Sequence, residues 1–408
     1  MREAIDRRHP RIPGSRPAAK GGWDGGRGSG PPAVAFLTTF PPSRCGIGTF
    51  TRSLAEALAR ERGSDDGLGV IRLMTRGAPD DRDHRVVARV VPGAPGWAGV
   101  AAAAAAGFEV LSIQHEYGIY GRDDGIALLD LLGRVEMPVF TTLHTIPAQP
   151  SPRQRLILNE LAARSDRLMV MAEVARDRLL ESYRADPGRV VVIPHGARAV
   201  PAYGGPALAD RRPVVLTWGL IGPGKGIETA IRAMRDLRRL DPPPFYLICG
   251  QTHPNVLRAQ GESYRRSLEK LARTSAVSHL IRFVPKYMDQ ETLSGYLGRA
   301  DVVLLPYDST EQVTSGVLVE ALAAGKPVVS TAFPHAVELL AGGAGRVVPQ
   351  RDAGAMAAAL GELFASPGRE EARRAAREIG AGLLWPAVAA RFEAEVQSLV
   401  ERQPARDR

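Results

Sequence analysis

The chain reads as an α/β protein built from two doubly wound, Rossmann-like domains in tandem. Three observations predict this. Short β-branched runs alternate with longer helical patterns, the mark of parallel sheets joined by crossover helices. A strand, a Gly-rich loop and a helix open the pattern near residue 33 and open it again near residue 213. Between the halves, "ARAVPAYGGPALADRRP" (197–213) loses all periodicity and reads as a linker. Sheets of this kind take ligands outside the carboxyl ends of their strands, so two in tandem predict a cleft between them.

The bulk composition fits. With 408 residues, 44% hydrophobic and 24% charged, the chain can bury two cores of ordinary size. No apolar run approaches the roughly 18–20 residues of a membrane span. Residues 1–32 are rich in Arg, Gly and Pro, lack the apolar centre of a signal peptide and read as a disordered basic tail. That tail carries a net +4 of the chain's +9. Basic proteins bind nucleic acid, anionic lipid or phosphorylated metabolites. Aromatics are sparse at 6% and no nucleic-acid module is recognisable, so nucleic acid is not an expected partner. The two cysteines, Cys45 and Cys249, are too few for a disulfide framework and suit a reducing cytoplasm.

In the first half (33–200) the expected strands are 33–40, 69–75, 109–115, 138–144, 167–172 and 189–195. A helix is expected from Phe50, with Phe50, Leu54, Ala57 and Leu58 on one face. Another is expected over 151–165, opened by Ser-Pro. In the second half (213–380) the strands are 213–219, 244–250, 280–287, 301–307 and 326–331.

The loop in "LTWGLIGPGKGIETA" (216–230) poses a choice. Gly219, Gly224 and Lys225 fit the start of a nucleotide-binding P-loop, but Gly226 stands where that loop needs a Ser or Thr hydroxyl for Mg²⁺. The ATPase reading therefore fails at its metal ligand. The loop still suits an anion: glycines allow close backbone approach, the next helix offers free N–H groups, and Lys225 adds a charge. Taken alone, it reads equally as a tight turn with a surface lysine.

A second stretch favours the anion. In "PYDSTEQVTSGVLVEALAAGKPVVST" (306–331) a helix is expected from about Ser315 to Ala324, ended by Gly325. Ser315 and Gly316 stand where a helix has unsatisfied N–H groups. Glu320 is conspicuous in an otherwise small, apolar stretch, and a carboxylate there can accept two hydroxyls of a ribose.

These features resemble the retaining glycosyltransferases of family 4, which have the GT-B fold. The resemblance spans residues 33 to about 400. It rests on Gln312-x7-Glu320 with the "EALAAGKPVVST" tail, on "GPGKGIE", on "TTLHT" (141–145), on "VIPHG" (192–196) and on "LLWPAVAARFEAEV" (383–396). The last is similar to the C-terminal helix, here 381–400, that crosses back to the first domain. Departures are visible. Gln312 replaces the first glutamate of E-x7-E, with Glu311 one residue early; Thr314 replaces a Phe; Leu220 replaces a diphosphate-pairing arginine. A bacterial subgroup shares "QHEYGIYG", "THPNV", "GESYR" and the Gln substitution, and this chain resembles it.

The resemblance implies transfer of a hexosyl group from a nucleotide-diphosphate sugar, GDP- or UDP-linked with GDP-mannose among the candidates, to a glycan or small glycoside, with retention at the anomeric carbon. Lys225, the Gly46–Gly48 loop, Gly224 and the backbone of Ser315, Gly316 and Val317 would hold the diphosphate. Glu320 would hold the ribose, and Gln312 with Glu311 the donor sugar. His144 would sit beside that sugar, and His115 and Glu116 would line the acceptor side. Catalytic roles fall to His144, Lys225, Gln312 and Glu320. No cofactor and no metal are implied. His195 reads as structural and Cys45 as a packed thiol; His253, Arg265 and Arg282 are left unassigned. Other readings are a sugar-nucleotide epimerase, a phosphorylase, and a non-catalytic nucleotide-sugar or glycan-binding protein of the same fold. Peripheral membrane contact is only weakly signalled, since Glu56 interrupts Arg52 and Arg60 on the first helix.

Overall fold

A computed structural model describes residues 30–43, 45–74, 82–200, 212–365 and 367–402 of the chain. Most of the expected basic tail and of the central linker lies outside the described residues.

Two all-parallel sheets carry the fold. The first has strands β1 (Val34–Thr38), β2 (Leu68–Leu73), β3 (Val86–Val90), β4 (Val110–His115), β5 (Val139–Leu143), β6 (Arg167–Val170) and β7 (Val190–Val192), in spatial order β3-β2-β1-β4-β5-β6-β7. The second has β8 (Val214–Trp218), β9 (Phe245–Cys249), β10 (Ile281–Val284), β11 (Val302–Leu305), β12 (Val328–Thr331) and β13 (Gly345–Val348), in order β10-β9-β8-β11-β12-β13. Each order reverses beside its first strand, the doubly wound topology the alternation predicts. Central strands such as β1, β4 and β8 are buried along their whole length, as continuous apolar runs should be when helices cover both faces.

Two strands were not expected. β3 is an edge strand whose residues alternate between half-buried and exposed, so its apolar signal is diluted by Arg89. β13 opens on Gly345, whose missing side chain lets it lie against the Val328 carbonyl; a Cβ there would come within 1.9 Å of that oxygen. The glycine that breaks the strand pattern is what allows the strand to pair. Helix α1 (Gly46–Arg62) starts four residues before the expected Phe50, because the Gly-rich loop itself forms its first turn.

The helix signals act locally. The Ser151 hydroxyl accepts the Gln154 N–H while the Gln154 side chain accepts the Ser151 N–H, a capping box that starts α4 (Pro152–Arg164). Helix α6 (Ile227–Leu237) buries Ile227, Ala230, Ile231, Met234 and Leu237, a 3.6-residue stripe against the second sheet.

The C-terminal helix α14 (Trp385–Glu401) lies on the first sheet. Phe392 packs between Phe36 and Phe140 at ring distances of 6.0 and 4.7 Å. Glu393 pairs with Arg62 and Glu395 with Arg167. Where the chain passes between lobes, Ala197 donates to Leu383 and accepts from Trp385, at 2.8 and 2.9 Å. Both crossings between lobes are therefore stitched together at one place.

Candidate active site

The carboxyl ends of the two sheets meet at the cleft. In the second lobe, the loop after β8 closes against the end of β11. Gly226 has φ +63°, and a Cβ on it would come 1.6 Å from the Pro306 carbonyl oxygen. The Asp308 N–H donates to the Gly224 carbonyl at 2.9 Å. Thus the position where a P-loop carries its hydroxyl is pressed onto backbone and has no room for a side chain. The P-loop reading is excluded by packing as well as by residue type.

Lys225 emerges from this loop. Its ammonium lies 4.1 Å from the centroid of the Tyr307 ring and has no carboxylate partner among the described residues. Burial lowers its pKa from the usual lysine value. A lysine held by an aromatic face keeps its charge available for an incoming anion.

Helix α10 (Gly316–Ala323) supplies the second donor set. The Ser315 hydroxyl accepts the Leu318 N–H at 3.3 Å, and the Ser315 N–H donates to His335 Nδ1 at 2.9 Å. The N–H groups of Gly316 and Val317 remain without a protein acceptor among the described residues, at the positive end of the helix. His195 Nδ1 donates to the Gly196 carbonyl at 2.7 Å. A Cβ on Gly316 would come 3.1 Å from His195 Nε2, so residue 316 must stay small.

Glu320 sits one turn further along. Burial pushes its carboxyl up to about 7, opposed by the neighbouring Trp218 indole and by Arg198. It borders a small cavity of about 20 Å³ with Arg198 and Leu293. A carboxyl near half-ionisation at neutral pH, in a partly dry wall, still has oxygens to accept hydroxyls.

The larger cavity, about 690 Å³, lies between the lobes. The first lobe contributes His144 to Gln149 and Arg178, and the second contributes Thr310 to Thr314. His144 Nε2 contacts Gln114 Oε1 at 2.9 Å, while the Gln114 amide NH₂ lies near Ser112 and Thr142 hydroxyls. Those bonds assign Nε2 as donor and leave Nδ1 as an acceptor. The ring stands edge-on to Phe50 at 5.1 Å, and burial depresses its pKa to about 3, so it is neutral. Gln312 donates its amide to the Thr314 carbonyl at 2.9 Å.

The other expected site residues are placed as follows. Glu311 is exposed at the cavity edge. Gly46 and Gly48 lie in the first turn of α1, with Gly48 packed closely on the Thr39 carbonyl. Glu116 accepts the Thr145 hydroxyl and the Tyr117 N–H. His115 is 1% exposed, enclosed between Tyr117 and Tyr120, with its pKa lowered to about 3 by burial. Its side chain belongs to the interior of the first lobe; its carbonyl accepts the His144 N–H. Cys45 accepts a hydrogen bond from the Thr39 hydroxyl. His253 caps a short helix, Arg265 pairs with Glu262 and Glu269, and Arg282 is exposed on β10. Sequence reasoning missed Trp218, Tyr307, Gln114 and Arg178. Trp218 and Tyr307 stand at strand ends, which was a usable signal; Gln114 and Arg178 act only through contacts remote in sequence.

The fold defines a class: two-lobed α/β proteins whose two doubly wound parallel sheets face a cleft. Known proteins narrow this. A model of glycosyltransferase family 4 matches residues 45–199, and one of group 1 glycosyl transferases matches residues 205–381. The chain belongs to the family 4 glycosyltransferases, with the GT-B fold. It is 31% identical over 262 residues to D-inositol 3-phosphate glycosyltransferase of Actinosynnema mirum, covering 58% of this chain and 60% of that protein. The namesake of Geodermatophilus obscurus is 29% identical over 276 residues, covering 62% and 59%. The match thus spans about three fifths of those relatives' length. In fold, the chain is similar to sucrose-phosphate synthase of Thermosynechococcus elongatus (TM-score 0.72, 21% identity, 91% of this chain and 100% of that one). It is also similar to Anabaena HepE in complex with UDP and glucose (TM-score 0.68, 14% identity, 90% and 100%). Among the described residues no helix is long and apolar enough to cross a membrane.

Proposed function

We propose that this chain transfers a hexosyl group from a nucleotide-diphosphate sugar to a glycan or small glycoside acceptor, with retention of anomeric configuration. The observation that carries the reading is that, among the described residues, Lys225 has no carboxylate partner and the N–H groups of Gly316 and Val317 have no acceptor, both at the carboxyl edge of the second sheet. A leaving diphosphate needs such preorganised positive groups, and they need no rearrangement when charge develops. Glu320 takes the ribose hydroxyls. His144 Nδ1 accepts from a hydroxyl of the donor sugar, and Gln312 contacts the same sugar. Glu116, beside the cavity-lining Thr145, faces the acceptor side.

The relatives' names support a small phosphorylated polyol as one acceptor within this class, and the complexed neighbour supports a uridine donor. GDP-mannose stays the alternative donor. The donor is a substrate, and the proposal includes no metal cofactor. A nucleotide-sugar donor and two free cysteines both suit a cytoplasmic reaction.

The test is thermal shift of the purified chain with UDP, GDP, ADP and ATP, each with and without Mg²⁺. A ligand that binds only the folded state raises the melting temperature. The expected result is a rise with UDP or GDP that does not need Mg²⁺. A rise only with Mg·ATP would sink the reading. Turnover of the donor that binds, lost on Glu320→Ala or Lys225→Ala, separates an enzyme from a binding protein.

A further inference from the structure

The loop 310–314 is held from both lobes. Helix α11 (Pro334–Leu340), in the second lobe, holds its central residue and the residue that follows the loop: the His335 N–H donates to the Gln312 carbonyl at 3.3 Å, and His335 Nδ1 accepts the Ser315 N–H. Helix α5 (Glu173–Ser182), in the first lobe, holds Glu311. Arg178 Nη1 donates to the Glu311 carbonyl at 2.7 Å and to the Ile146 carbonyl at 3.3 Å, and lies 3.6 Å from the Glu311 carboxylate. Val313, only 5% exposed, is buried in the apolar core of the first lobe. The two helices are also joined directly. Glu338 of α11 accepts the N–H groups of Glu173 and Val174, the first turn of α5, at 3.0 and 2.9 Å.

This arrangement divides the cleft. The groups proposed for the diphosphate, Lys225 and the first turn of α10 in the second lobe and Gly46 and Gly48 of α1 in the first, lie outside the loop 310–314. The loop that carries Gln312 takes its shape from a first-lobe arginine. We infer that Arg178 is a positioning residue for the donor sugar: it clamps residues 310–314 across the cleft, so that sugar recognition, unlike diphosphate recognition, depends on this clamp. This rests on the glycosyltransferase reading above. The physical reason is that a guanidinium bonded to two backbone carbonyls on different segments fixes their separation, which a more flexible cation does not.

The experiment pairs two readouts on the full chain. Calorimetry compares UDP and GDP with UDP-glucose and GDP-mannose for wild type, Arg178→Ala, Arg178→Lys and Glu338→Gln. Amide hydrogen exchange follows residues 310–314 without ligand. Arg178→Ala is expected to bind the free diphosphate within about twofold of wild type and the nucleotide sugar about tenfold more weakly, a difference the size of one charge-assisted hydrogen bond. Arg178→Lys should recover part of the loss, and Glu338→Gln should weaken sugar recognition in the same direction. Exchange at 310–314 should rise in Arg178→Ala. Equal losses for diphosphate and nucleotide sugar would mean a general structural role and overturn the inference, as would unchanged affinity. If wild type binds neither kind of nucleotide, the transferase reading falls. The clamp is then decided by exchange, and unchanged exchange overturns it.

Discussion

Lys225 rests on the face of Tyr307, its ammonium 4.1 Å from the ring centroid. The Tyr307 hydroxyl is buried and has no hydrogen-bond partner among the described residues, so the ring, not the hydroxyl, is what supports the lysine. Loss of the charge in Lys225→Ala should weaken nucleoside diphosphate binding by about 10- to 100-fold, since hydrogen bonds to charged groups contribute about 1.5–3 kcal/mol. Tyr307→Phe keeps the ring and should bind nearly as wild type. Tyr307→Leu removes the π face, worth about 0.5–2 kcal/mol to a partly desolvated cation. Calorimetric titration with UDP and GDP reads all three. Equal affinity of the Phe and Leu variants would show that the ring face does not position the lysine.

Gly226 is required by close approach as well as by conformation. A non-glycine residue with positive φ costs about 1–3 kcal/mol. Here a Cβ must also displace the Pro306 carbonyl. Gly226→Ala should therefore lower unfolding stability in urea by more than about 2 kcal/mol, in the range of serious single substitutions. Gly107→Ala, where a Cβ meets nothing within 4 Å, is the control. Gly226→Ser, which restores the P-loop consensus, should be equally damaging and should not gain Mg·ATP binding. A stable Gly226→Ser that binds Mg·ATP would contradict the packing described above.

Glu320 gives a pH dependence of definite sign. Its folded pKa, about 7, lies above the model-compound carboxylate value of 4.5. Between those values the folded protein holds a proton that the unfolded chain has released, so stability attributable to this group falls as pH rises. Glu320→Gln, which cannot ionise, should lack this fall. The melting temperature of wild type relative to Glu320→Gln should therefore drop from pH 5 to pH 8. A constant difference would mean that the Glu320 carboxyl is not held protonated by burial. His115 and His144, lowered to about 3, act in the opposite sense between their folded values and 6.5, and both remain in the two proteins compared.

Much of the fold was legible because the pattern is long and redundant. Eleven expected strands correspond to β1, β2 and β4 to β12: the central ones are continuous buried apolar runs bounded by turn residues, and the edge strands β7 and β10 still keep a short apolar run, whereas Arg89 dilutes the signal of β3 and Gly345 opens β13. β3 and β13 escaped because an edge strand shows one face to water and a strand opened by glycine lacks the apolar signal at its start. The placement of the second-lobe candidate groups at the carboxyl edge of its sheet was legible too. Lys225, Ser315, Gly316, Val317 and Glu320 all come from two short stretches in which loop, helix start and carboxylate are adjacent in sequence.

What the sequence determined by itself is the set of groups whose role depends on neighbours a few residues away: strand ends, helix caps, glycine turns and the lysine of the loop. Tertiary structure alone decided which atoms of those groups are still free. Gln114, thirty residues from His144, selects its tautomer. His335 takes the Ser315 N–H and so leaves Gly316 and Val317 as the open donors. Tyr117 and Tyr120 enclose His115, while Arg178 reaches 133 residues along the chain to hold Glu311. Hydrogen bonding and desolvation act over a few ångströms, and the fold, not the order of residues, sets which groups lie that close.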